Sequence, residues 1–124
     1  MNALGTHLLL ELRDCNPLKL NDLALIQESL LQAARDAGAT VIGQIFHQFS
    51  PHGVTGVVAI SESHLCIHTW PEYSYAAMDI FSCSETFDPR KVAQLLIAQL
   101  ESKDSDVSEF PRGEIKTSIP SRQV

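Results

Sequence analysis

Val54-Thr55-Gly56-Val57-Val58-Ala59-Ile60-Ser61-Glu62-Ser63-His64-Leu65-Cys66-Ile67-His68-Thr69-Trp70-Pro71 is the stretch on which the fold turns. Two apolar runs rich in β-branched residues, Val54 to Ser61 and Leu65 to Trp70, lie too close together for a parallel crossover and read as neighbouring antiparallel strands. On an unbroken strand, alternation would put Glu62, His64, Cys66, His68 and Trp70 on one face and Ser63 on the other. If Ser63 is to work with His68, which an unbroken strand would put on the opposite face, the backbone must turn or bulge at Glu62-Ser63.

Working outward, Thr40 to Phe49 is another strand, joined to Val54 through the turn Ser50-Pro51-His52-Gly53, and Tyr75 to Ser82 follows Trp70 after Pro71-Glu72. His7 to Arg13 reads as a first strand, ending before Asn16-Pro17. Asn21 or Asp22 can cap a helix from Leu23 to Ala37, where Leu23, Ile26, Leu30, Ala34 and Ala37 keep one face and Gly38 suits the left-handed position beyond it. Asp88 and Pro89 open a second helix with Val92, Leu95, Leu96 and Leu100 inward. A last edge strand near Asp106 to Phe110 is plausible, and Ser118 to Val124 is expected to fray. The fold class is α+β, a two-layer sandwich of an antiparallel sheet with two helices on one face, in the order βαβββα with a possible final β. The other sheet face stays apolar, which calls for a partner subunit.

The 124 residues suit one domain, 1–124, and 44% hydrophobic with 19% charged residues is ordinary globular composition. No apolar run approaches the about 20 residues of a membrane-spanning helix, and the first residues lack a secretory pattern, so the expected location is cytoplasmic and no membrane partner is expected. Cys15, Cys66 and Cys83 are odd in number and irregularly spaced, against a disulfide framework. A formal charge of −6 argues against nucleic acid.

Ser61 to Glu72 concentrates the reactive side chains. A serine directly after a glutamate can attack the carbonyl of the preceding peptide bond, given a strained backbone and a nearby base. For an arbitrary serine the commoner fate is a strand-end hydroxyl bonded to backbone. His68 has a pKa suited to proton transfer at neutral pH, although strand histidines are generally structural. His64, Cys66 and His68 alternate on one strand face and form a rival zinc set, with Cys83, His47 or His52 as a fourth ligand, but no paired Cys-x-x-Cys supports it and no metal is expected.

The run Ser61 to Glu72, with the upstream Phe46 to Gly56 and the downstream Tyr75 to Cys83, resembles the bacterial S-adenosylmethionine decarboxylase proenzymes, from about Leu4 to Leu100. The resemblance implies that Ser63 attacks the Glu62 carbonyl, that the amide becomes an ester, and that β-elimination and hydrolysis leave a pyruvoyl group on residues 63–124, separate from residues 1–62. It further implies His68 as proton acceptor in processing, Thr55 in support where the family often has serine, and Cys83 as the acid that reprotonates the substrate carbon. Phe49, Trp70, Glu72 and Tyr73 would hold S-adenosylmethionine, the enzyme would be a homodimer of processed protomers, and the product would serve spermidine synthesis. Cys15 and Cys66 are left as small buried hydrophobes.

Residue chemistry agrees with that expectation. Decarboxylation of an α-amino acid leaves a carbanion that no side chain can delocalise, and a pyruvoyl ketone, through a Schiff base with the substrate amine, is an adequate sink. No lysine motif for pyridoxal phosphate and no phosphate loop competes. Two further alternatives stay open: an arginine or ornithine decarboxylase on the same fold, and a non-catalytic dimeric binding module.

Overall fold

A computed structural model describes residues 3–61 and 63–116. Glu62 and the expected fraying of Ser118 to Val124 therefore lie outside the described residues. The strands are β1 (Ala3–Arg13), β2 (Val41–Gln48), β3 (Val54–Ile60), β4 (Ser63–Trp70), β5 (Tyr75–Ser82) and β6 (Asp104–Glu114). The helices are α1 (Pro17–Leu20), α2 (Leu23–Asp36) and α3 (Pro89–Gln99). All six strands form one antiparallel sheet in the order β2-β3-β4-β5-β1-β6. The class is the expected α+β sandwich, but four strands rather than three separate α2 from α3, because each apolar segment from Thr40 to Ser82 makes its own strand. α1 was not anticipated, and β6 runs well beyond the expected Asp106 to Phe110.

Caps set the helix starts. Asn16, Asp22 and Asp88 each accept a hydrogen bond from a backbone N–H of the first turn, at 3.0 to 3.3 Å, an arrangement that typically stabilises by about 1 kcal/mol. Gly38, with φ of 98°, follows α2 where a side chain would be strained and would press on the Thr86 carbonyl. The apolar faces of α2 (Ile26, Leu30, Ala34) and α3 (Val92, Leu96) close over the even residues of β1 (Leu8, Leu10, Leu12), with Val58, Leu65, Ile67, Met78 and Ile80 beneath them. Each full burial of such a side chain contributes about 1.5–3 kcal/mol before entropy is counted.

Gly56 marks where the sheet admits an aromatic from the edge strand. A Cβ there would sit 2.3 Å from the Phe46 ring, so only glycine allows Phe46 to lie across β3 toward the helices. The opposite, open face carries His7, Leu9, Ile45, Thr55, Val57, His64, Cys66, His68, Trp70, Asp79 and Phe81, as the register and alternation require. No described helix covers it.

Candidate active site

β3 and β4 reverse within two residues. Ile60 pairs directly with Ser63, and the Ser61 N–H donates to the Thr40 carbonyl at 3.0 Å. The reversal between β3 and β4 thus falls immediately before Ser63. Ser63 also pairs with Ser82 across β5, and the backbone N–H of Cys83 donates to Ser63 Oγ at 3.3 Å. Cys83 is exposed, on the wall of a cleft of about 280 Å³ bounded by Leu4, Thr6, Glu85, Arg90 and Glu109. Arg90 and Glu109 close its rim at 2.5 Å.

The remaining expected residues gather at the far end of β4. Thr55 and His68 are paired across β3 and β4, and Thr55 Oγ1 lies 3.1 Å from His68 Nδ1. Trp70 stands beside His68 and tilts over Tyr75, with centroids 5.4 Å apart. The Tyr75 hydroxyl donates to Glu11 at 2.8 Å, and burial together with that carboxylate pushes its pKa up to about 12. Phe49 packs edge-on against His47 at 4.5 Å, and His52 Nε2 lies 3.0 Å from the Glu72 carboxylate. Tyr73 is largely exposed.

One chain does not bring these two groups together. Ser63 and His68 are five residues apart on a straight strand, about 16 Å at about 3.3 Å per residue, and on opposite faces. Thr55, His68, Trp70 and Phe49 form one constellation; Ser63 and Cys83 form another.

This division accompanies a close likeness to known proteins. Residues 6–113 match the family described as S-adenosylmethionine decarboxylase. The chain belongs to that family. A Thermodesulfovibrio yellowstonii protein named S-adenosylmethionine decarboxylase proenzyme is 52% identical over 113 residues, covering 91% of this chain and 84% of its own. A Thermotoga maritima protein of the same name is 49% identical, covering 91% and 87%. The crystal structure of the adenosylmethionine decarboxylase from Aquifex aeolicus superposes with a TM-score of 0.86 at 33% identity, covering 98% of this chain and 100% of that one. The chain is thus similar in sequence and fold, along nearly its full length, to members of the decarboxylase family.

The other cysteines and the zinc alternative can be placed against this site. Cys15 is buried, with its thiol 3.5 Å from the Leu12 carbonyl and its pKa raised by burial. Cys66 is half-buried on the open face rather than in the core, and burial, then Asp79, pushes its thiol up to about 11. The rival zinc set separates: His68 bonds Thr55, whereas His64 Nε2 bonds Asp79 at 3.0 Å. Sequence reasoning missed Thr6, Arg90 and Glu109 at the cleft and His7 and Asp79 beside His64. Only pairing of β1 with β5 and β6, across some 70 to 100 residues, assembles them, and no local pattern carries that signal.

Proposed function

We propose that this chain decarboxylates S-adenosylmethionine with a pyruvoyl group made from its own Ser63, after autocatalytic cleavage of a single domain into residues 1–62 and 63–124. The observation that carries the reading is Ser63 as first residue of β4, directly after a two-residue reversal, with its Oγ engaged by the Cys83 amide. That contact uses an oxygen lone pair, leaves the hydroxyl proton free for a base, and holds the attacking atom at the turn. A pyruvoyl group at residue 63 would supply the electron sink for the departing carboxylate's electrons. Cys83, whose amide bonds the same residue, would return a proton to the substrate carbon, and that contact supports the role.

His68 and Thr55 enter through a second copy. Their separation from Ser63 within one chain, and the apolar residues left open on their face, support a homodimer packed through the open faces, in which one copy's Thr55–His68 pair serves the other copy's Ser63. Phe49 and Trp70 then offer aromatic faces to a sulfonium-bearing nucleoside, and Glu72 a carboxylate to its ribose hydroxyls, with Tyr73 at the rim. The product is an aminopropyl donor of the kind spermidine synthesis consumes, and the three cysteines fit a reducing, cytoplasmic setting.

Intact mass under denaturing conditions tests this, with Ser63→Ala as control. Two fragments meeting at Glu62/Ser63, the C-terminal one lacking a free amino terminus, are expected; a single unmodified chain in active protein would overturn the mechanism. Trapping by imine reduction separates substrates. An adduct with S-adenosylmethionine is expected, whereas an adduct with arginine or ornithine alone would move the chain to the alternative substrates.

A further inference from the structure

Three potential ligand atoms converge on the open face at the Ser63 end of the sheet. His7, His64 and Asp79 each offer one ligand atom, all within 4.8 Å of one another, and the Nε2 atoms of both imidazoles meet the same carboxylate oxygen, Asp79 Oδ2, at 2.8 and 3.0 Å. The three residues come from β1, β4 and β5 in direct register: His64 and His7 both pair with Phe81, and Asp79 lies two residues further along the same face. Phe81 supports the imidazoles, stacked against His64 at 5.9 Å and edge-on to His7 at 5.5 Å. A site on three adjacent strands of one sheet is held more rigidly than one on loops. In the single chain the side-chain exposures lie between 19% and 39%, and a second copy packed over the open face would shield the group further from water while leaving its own donors in place.

We propose that His7, His64 and Asp79 form a site for one divalent transition cation of the zinc type, distinct from the Ser63 chemistry and independent of the decarboxylase reading. Two imidazole nitrogens and one carboxylate oxygen make a three-ligand set with an open position, the donor mixture that suits zinc or cobalt(II) rather than magnesium or calcium. Nitrogen and oxygen ligands at about 2.0–2.2 Å from a tetrahedral zinc stand about 3.3 Å apart, so each imidazole–carboxylate contact, at 2.8 and 3.0 Å, needs to open by only a few tenths of an ångström. Each imidazole must present a lone pair at Nε2, moving its proton to Nδ1. Arg112 opposes this: its guanidinium donates to His7 Nδ1 at 2.9 Å, which fixes the proton of His7 on Nε2, and it adds a positive charge beside the ion. Arg112 is exposed and can swing away, so it lowers affinity without closing the site. His68, bonded to Thr55, takes no part.

The test is zinc binding by the purified, matured protein, dialysed to equilibrium against zinc and a competing chromophoric chelator, with cobalt(II) absorption reporting the ligand field. One equivalent per chain is expected. His64→Gln and Asp79→Asn, checked for fold by circular dichroism, should each weaken binding at least about tenfold, while His68→Ala, incubated until its intact mass shows full maturation, should bind like the parent. Arg112→Gln should tighten binding severalfold, a gain that misfolding cannot imitate. Less than stoichiometric binding, binding that survives Asp79→Asn, loss of binding in His68→Ala, or an unchanged or weakened Arg112→Gln chain would each overturn the proposal.

Discussion

The backbone N–H of Cys83 donates to Ser63 Oγ across 3.3 Å, so the side chain expected to start the chemistry and the one expected to finish it share a hydrogen-bonded junction between β4 and β5. Replacing Cys83 with alanine keeps the amide and removes only the thiol. Cleavage should therefore proceed, while decarboxylation falls about 100-fold or more, the usual scale for loss of a positioned acid. Fragment masses and single-turnover rates, measured on one preparation, check both halves.

His68 and Ser63 stand about 16 Å apart along β4, so neither should complement within its own chain. Chains carrying Ser63→Ala and chains carrying His68→Ala, co-expressed with distinguishable tags, should yield mixed dimers in which the His68→Ala chain is cut. The His68→Ala chain alone should mature much more slowly. Equal maturation of that chain alone and in mixture would refute the arrangement of two copies.

Thr55 bonds His68 through its hydroxyl, at 3.1 Å. Thr55→Ser preserves that oxygen and should process at close to the parental rate, whereas Thr55→Val, similar in shape but without the hydroxyl, should slow processing. A time course of intact mass distinguishes them.

His52 holds Glu72 at 3.0 Å, both about 37–39% exposed. His52→Gln should raise KM for S-adenosylmethionine more than it lowers kcat, because the carboxylate loses its orienting partner while the reacting end is untouched. A pure kcat effect would count against a ribose-binding Glu72.

Cys66 carries a thiol pushed up to about 11, by burial first and by Asp79 second. A raised pKa keeps the unreactive thiol form through neutral and mildly alkaline pH, so alkylation at pH 8 should modify exposed Cys83 well before Cys66. Asp79→Asn should speed Cys66 labelling. Peptide mapping after a short exposure reads both.

Much of this was legible beforehand because it is local. Alternation gave the strands from Tyr75 to Ser82 and Val54 to Ile60 nearly to the residue, and the 3.6-residue spacing of Ile26, Leu30 and Ala34 gave α2. The division of the site could not be read that way. A turn at Glu62-Ser63 would have to reconcile Ser63 with His68 within one chain, yet Ser63 is already the first residue of β4, and that regular strand carries His68 away. The partners of His64 likewise come from β1 and β5, so the alternation of His64, Cys66 and His68 suggested a set that cross-strand pairing divides between Asp79 and Thr55.

The strand order has a last consequence. A chain opened before residue 63 leaves β1, β2 and β3 on one piece and β4, β5 and β6 on the other, while the sheet runs β2-β3-β4-β5-β1-β6. The two pieces interleave: β1 is clasped on both sides by strands of the opposite fragment, and β3 is sutured to β4. Separating them would tear three seams of backbone hydrogen bonds and open the core at once. A broken peptide bond at the head of β4 would thus be mechanically silent, and the severed polypeptide would endure as a single body without any covalent link to hold it.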